Sequence, residues 1–163
     1  KLLLQLGELD EAGAILEPKV KEVPRQLRFE ALWHYLDALR FATTDPRGQW
    51  APEQFDAAIA QNKRDFDTRF AKARVLVAAG AWSQAMDELL EIIMRDKAWN
   101  QELPRKTFVA ILELLTPAKP KTEVAAPGKS AGGIELMGKS ATVEDPQAQL
   151  VSGYRRKLSM ALN

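Results

Sequence analysis

Apolar residues recur at helical spacing along this chain, and no segment alternates with the period of two that a half-buried strand requires. That property restricts the fold to the all-α class. It is sharpest in the stretch Leu89 to Phe108, LLEIIMRDKAWNQELPRKTF, which joins two amphipathic helices through a short charged turn. Before the turn, Trp82, Ala85, Met86, Leu89, Ile92 and Ile93 share one helix face; after it, Phe108, Ile111, Leu112 and Leu115 share another. The structural turn consists of Arg95, Asp96, Lys97, Trp99 and Asn100. Asn100 is expected to cap the second helix. Pro104 would then lie in the first turn, whose N–H groups have no intrahelical partner, so that a proline is tolerated there.

The remaining helices follow from the same spacing. Leu2 to Leu6 reads as the end of a helix stopped by Gly7, and Leu9 to Glu17 as a second one, with Ala12, Ile15 and Leu16 expected inward, closed by Pro18. Pro24 precedes a helix from Gln26 to about Ala42, with Phe29, Leu32, Trp33, Leu36 and Leu39 inward. The loop Thr43 to Trp50 is dense in turn residues. Pro52 suits the first turn of the next helix, which turns Phe55, Ala58 and Ile59 inward. Asp67 is expected to cap a helix running to Gly80, with Phe70, Ala73, Leu76 and Val77 buried. From Pro117 to Pro146 the composition shifts to four prolines, four glycines and no aromatic residue, as in a linker inserted before the last helix. That helix, Gln147 to Leu162, carries Val151, Tyr154, Leu158 and Leu162 on one face.

Bulk properties exclude several functions. A chain of 163 residues suffices for one domain with a real core, and residues 1–163 are read as a single helical domain with an insertion at 117–146. The 23 basic and 22 acidic residues leave a net charge of +1, which argues against a nucleic-acid partner. No apolar run approaches the ~20 residues that span a bilayer. The absence of cysteine removes disulfides, thiol nucleophiles and thiolate metal sites, and a single histidine leaves little for a metal centre or a proton relay. The opening KLLLQLGELDEA already sits in a helical pattern and lacks methionine, so the chain reads as a piece of a longer protein.

An internal echo points to the architecture. GELDEA at Gly7 to Ala12 matches GAWSQA at Gly80 to Ala85, an offset of 73 positions. Two tetratricopeptide units of about 34 residues span about 68, and the long loop at 43–50 accommodates the difference. The glycine would end one helix and the small alanine would let the next pack closely. The chain thus resembles a degenerate tetratricopeptide-like stack of antiparallel helix pairs, with a generic helical bundle as the alternative. Lys72 stands where that repeat has a large apolar residue, and Lys97 where it has proline.

Four candidate sites carry chemistry on paper. GIELMGKS at Gly133 to Ser140 matches a phosphate-binding loop formally, but PGKSAG before it cannot form a buried strand and the next helix starts too late, so the match is read as accidental. Glu30, His34 and Asp37 share a helix face and could ligate a metal; a solvated polar face opposite the Trp33 stripe is the preferred reading. The four tryptophans, at 33, 50, 82 and 99, have the spacing of core and staple residues rather than of a ligand groove. The run Arg155, Arg156, Lys157 reads as a solvated face or as a contact for an acidic partner.

The stretch RDKAWNQELPRKTF, with Arg95-Asp96, Trp99-Asn100 and Arg105-Lys106, together with YRRKLSMALN at the end, resembles the C-terminal half of the YbbN family, the bacterial thioredoxin-like chaperedoxins. The resemblance covers nearly the whole chain, most closely Arg69 to Leu115 and Asp145 onward. The thioredoxin domain that precedes this half in the family is absent, and the insertion at 117–146 is longer than the family's turn. The resemblance implies a cytoplasmic, non-enzymatic holdase or co-chaperone module without cofactor or metal, which binds unfolded clients and a GroEL-type chaperonin through protein contacts, with neither nucleic acid nor membrane as partner. It also places the chaperonin contact at the C-terminal end, on Tyr154, Arg155, Arg156 and Met160. The alternative is a scaffold that mediates self-association without binding clients.

Overall fold

Helix signals in the sequence become seven α-helices in the computed structural model, which describes residues 2–21, 27–116 and 145–163. They are α1 (Leu2–Lys21), α2 (Leu27–Thr44), α3 (Pro52–Gln61), α4 (Phe66–Ala78), α5 (Trp82–Arg95), α6 (Trp99–Leu115) and α7 (Pro146–Leu162), with a single 3₁₀ turn at Pro46–Gln49. No strand occurs among the described residues. The fold is all-α, an array of antiparallel helix pairs of tetratricopeptide-like type. Pro24, most of the 117–146 insertion and the Gly133 to Ser140 loop match lie outside the described residues.

Side chains set the helix boundaries. Asp45 caps the 3₁₀ turn, accepting from the Arg47 N–H, and Pro52 opens α3 while the Gln54 side chain accepts from the Ala51 N–H at 2.8 Å. Asp65, not Asp67, caps α4: its carboxylate accepts from the Thr68 N–H at 3.1 Å and from the Thr68 hydroxyl at 2.7 Å. Asp67 lies one residue inside the helix, faces solvent and pairs with Arg47 at 2.8 Å. α4 ends where Gly80 takes φ +75°, so that the Ala81 N–H reaches Leu76 O and the Gly80 N–H reaches Val77 O. This double bond pattern satisfies the last carbonyls and needs a residue that enters the left-handed region without strain.

Two sequence expectations fail at the N-terminal end. Gly7 and Pro18 both lie inside α1, which runs unbroken from Leu2 to Lys21. An interior glycine costs a helix only about 1 kcal/mol relative to alanine, too little to stop it without a left-handed cap to follow. The echo between Gly7 and Gly80 is therefore one of sequence: one glycine is mid-helix and the other turns the chain. Gly13 of α1 lies under the end of the flexible Arg40 side chain, which would have to shift to admit a Cβ there.

The main core gathers Phe66, Phe70, Ala73 and Val77 of α4, Met86, Leu89, Ile92 and Ile93 of α5, Phe108 and Ile111 of α6, and Val151, Tyr154 and Leu158 of α7. A smaller cluster of Phe41, Phe55, Ile59 and Ala71 seats α3. The stripes anticipated on α4, α5 and α6 are buried, save that Trp82 is half-exposed. On α2 the pattern differs. Ala31, Leu36, Ala38 and Phe41 are buried, whereas Phe29, Leu32, Trp33 and Leu39 are only half-buried. α2 packs against α1, α4 and α6 together, so burial is spread around the helix and includes the small Ala31 and Ala38, the least exposed residues it has. α5 in turn packs against α4, α6 and α7.

Candidate protein-interaction surface

Asp96 starts the turn between α5 and α6, its carboxylate accepting from the Ala98 N–H at 3.1 Å. Asn100, Gln101 and Glu102 then take φ of +48°, +56° and +62°, a left-handed turn before the right-handed part of α6 begins. Asn100 is thus not an N-cap. Pro104 falls in the first turn of the right-handed part, as its missing donor permits. Trp99 is half-buried, its ring 6.0 Å from Phe66 and 5.8 Å from Phe70, and so ties this turn to α4. Arg95 pairs with Glu91 one turn back at 3.3 Å, and both are well exposed.

α7 docks on α5 and α6 through Val151, Tyr154 and Leu158. The Tyr154 hydroxyl donates to Asp87 Oδ1 at 3.0 Å and lies 3.2 Å from Ser83 O, while its ring lies 6.2 Å from Phe108. Burial first, then the hydrogen bond and charge of Asp87, push its pKa above the usual tyrosine value. Of the four residues anticipated at the partner contact, Tyr154 therefore faces inward and fastens the helix. Arg155, Arg156 and Met160 face outward, Arg155 reaching the Thr116 hydroxyl at 3.4 Å. Met160 is 70 % exposed.

Beside Met160 runs a groove of about 550 Å³ between the last turns of α5 and α7, lined by Leu90, Met94, Lys97, Lys157 and Ala161. Sequence reasoning missed Met94 and Lys97 as surface features. The available signal was a methionine one residue past the buried Ile93, with a lysine three positions on. Lys97 donates to Leu162 O at 2.7 Å, linking the α5–α6 turn to the end of α7.

A second cavity, about 490 Å³, opens between α2 and α6. Trp33, His34 and Glu30 line it from α2, and Glu102, Arg105 and Lys106 from α6. His34 is half-buried, not on a solvated face, and burial lowers its pKa from 6.5, with Lys106 adding to the effect and Asp37 and Glu30 opposing it. Asp37 lies exposed beside Arg74 at 3.4 Å. Among the described residues, no group of three or more His, Asp or Glu side chains is placed to hold a metal ion. The other tryptophans pack as staples, Trp50 against Phe55 at 5.2 Å and Trp82 against Tyr35 at 5.7 Å.

Lys72, set where the repeat pattern has an apolar residue, is the centre of an ion network. Its ammonium lies between Asp56 of α3, at 2.7 Å, and Glu88 of α5, whose other oxygen takes Arg69 at 2.8 Å. Burial opposes the charge of Lys72, but its bonds to Asp56 and Glu88 outweigh this and raise its pKa. No helix among the described residues is long and apolar enough to cross a membrane.

Residues 48–125, just under half the chain, match the model of a tetratricopeptide repeat family. The match begins in the 3₁₀ turn and covers α3 to α6. Neither the curated proteins nor the solved structures give a match to the chain.

Proposed function

We propose that this chain is the non-catalytic interaction module of a thioredoxin-like co-chaperone, binding unfolded clients and a GroEL-type chaperonin. Tetratricopeptide-like repeats generally mediate contacts between proteins, by stacking helix pairs into surfaces that other chains cover. The observation that carries this reading is the outward face of α7, where Arg155, Arg156 and Met160 combine positive charge with exposed apolar surface on a helix fastened by its other side. The resemblance of RDKAWNQELPRKTF and YRRKLSMALN to the chaperedoxins supports it.

The test is capture of purified chaperonin, and suppression of aggregation of a chemically unfolded client, by the intact chain. Arg155→Glu with Arg156→Glu is expected to weaken capture, and more at low than at high salt, because exposed charges are screened beyond a Debye length of about 10 Å at 0.1 M. Undiminished capture by the double variant would move the contact off α7. A chain that meets neither chaperonin nor client, and associates only with itself, would replace this function with that of a scaffold.

A further inference from the structure

Four large apolar side chains stand well exposed among the described residues: Ile15, Leu27, Met94 and Met160. Two of them, Met94 at 56 % and Met160 at 70 %, face the same groove between α5 and α7. Leu90 and Met94 form one wall at i, i+4, and Lys157 and Ala161 form the other at the same spacing. Each wall is one helical turn long, about 6 Å at a rise of 1.5 Å per residue. The charged side chains of the lining are Lys97 and Lys157, and no carboxylate is among them. Both ammonium groups are held beside the opening. Lys97 is bonded to Leu162 O at 2.7 Å, and Lys157 lies 4.4 Å over the Tyr154 ring and 3.8 Å from Asp87. An ammonium has three donors, so one acceptor exhausts neither lysine.

We propose that this groove seats an acidic amphipathic helix of a partner protein. Apolar side chains one turn apart on that helix would fill the space between Met94 and Met160, and flanking carboxylates would meet Lys97 and Lys157. The volume, about 550 Å³, lies within the range of ligand clefts, about 300–1,000 Å³. One-turn walls match the i, i+4 anchors by which helices enter grooves. Methionines suit such a floor because their flexible, polarisable side chains repack around different anchors. A second copy of the chain fits less well, since a stable dimer needs roughly 20–30 residues a side, far more than the groove supplies. The proposal rests on the interaction-module reading and names the chemistry of a partner.

The decisive experiment follows the methionine methyl groups of the intact chain by NMR during titration with a designed peptide. The probe is about 16 residues long, enough to allow helix formation, with leucines at i, i+4 between glutamates; a control peptide replaces each glutamate with lysine. The acidic peptide should shift Met94 and Met160 and leave the fully buried Met86 in place, and the basic peptide should shift none of them. Lys157→Glu should weaken the acidic peptide roughly tenfold, as expected for reversing an exposed charge. Met160→Asp should abolish binding with an unchanged melting temperature, because Met160 is exposed. Equal shifts from both peptides, or binding that leaves Met94 and Met160 unmoved, would overturn the proposal. So would broadening of both methyls with chain concentration alone, which assigns the groove to a second copy. If the peptide fails to bind while chaperonin capture persists, the groove is not the site and the proposed function stands. Peptide binding without capture of client or chaperonin keeps the groove as a helix site and removes the co-chaperone function.

Discussion

Lys72 and Glu88 show how a position that departs from an apolar repeat pattern can still hold helices together. The two side chains are 13 % and 16 % exposed, and Arg69 is 12 % exposed. Removing one charge from such a network is not symmetric. Lys72→Leu leaves Glu88 paired with Arg69 and restores the apolar residue the repeat would carry, so its stability should change by less than about 1 kcal/mol. Glu88→Leu removes the carboxylate of Arg69, leaves Lys72 with the exposed Asp56 alone and sets two like charges together, and should cost about 2–4 kcal/mol. Urea melts of the two variants check the asymmetry. His34 makes a second residue-scale prediction. Its folded pKa lies below its unfolded value of 6.5, chiefly through burial. The stability it contributes is complete above that unfolded value and is lost as pH falls through the folded one. Melts between pH 7.5 and 5.5 should therefore show a decline that His34→Gln reduces; an equal decline in the variant would place the titrating group elsewhere.

Individual helices were legible where one face is buried and one is wet. The stripes of α5 and α6 were readable for that reason, and so was α7, whose Val151, Tyr154 and Leu158 face the core. Cap identity was less legible, because Asp65 and Asp67 are chemically equal and only the backbone path decides which one accepts from Thr68. The left-handed run Asn100 to Glu102 had little signal, since none of the three is glycine and only Asn100 is of a type that enters that region readily. Such residues cost about 1–2 kcal/mol each, and the packing of Trp99 on Phe66 and Phe70 helps to hold the turn against that cost. Trp99→Ala should accordingly lower stability by about 2–4 kcal/mol, less than for a fully buried aromatic, as a denaturant melt would show. Tyr154→Phe keeps the ring on Phe108 and removes the bond to Asp87, an exposed carboxylate that water can satisfy; the loss should be about 1 kcal/mol. Capture of a partner by the outer face of α7 should survive that change. The surface itself was half legible. Arg155, Arg156 and Met160 could be placed on one helix, but the groove exists only because α5 and α7 end side by side.

At the scale of the molecule, the all-α class follows from periodicity, whereas the packing order does not. Nothing in the spacing of α2 says that it will touch α6 as well as α4, because that contact joins segments far apart in sequence. It rests on small residues. Ala31 of α2 and Ala110 of α6 are buried and line the same cavity, and Ala38 of α2, 1 % exposed, joins the core of α4, α5, α6 and α7. A chain whose second helix is built into the core shared by its last four should not unfold from one end, as an open stack of repeats can. The prediction is a single transition in which helical signal and tryptophan fluorescence move together, Trp33 reporting on α2 and Trp99 on the α5–α6 turn. Ala38→Leu would overpack this junction and should lower stability by about 1–3 kcal/mol, shifting both signals by the same amount. If the variant instead melted in two steps, with part of the helical signal and the Trp33 contribution to the fluorescence lost ahead of the rest, α1 and α2 would form a unit apart from the rest. The core common to α2 and α7 would then be too weak to couple them.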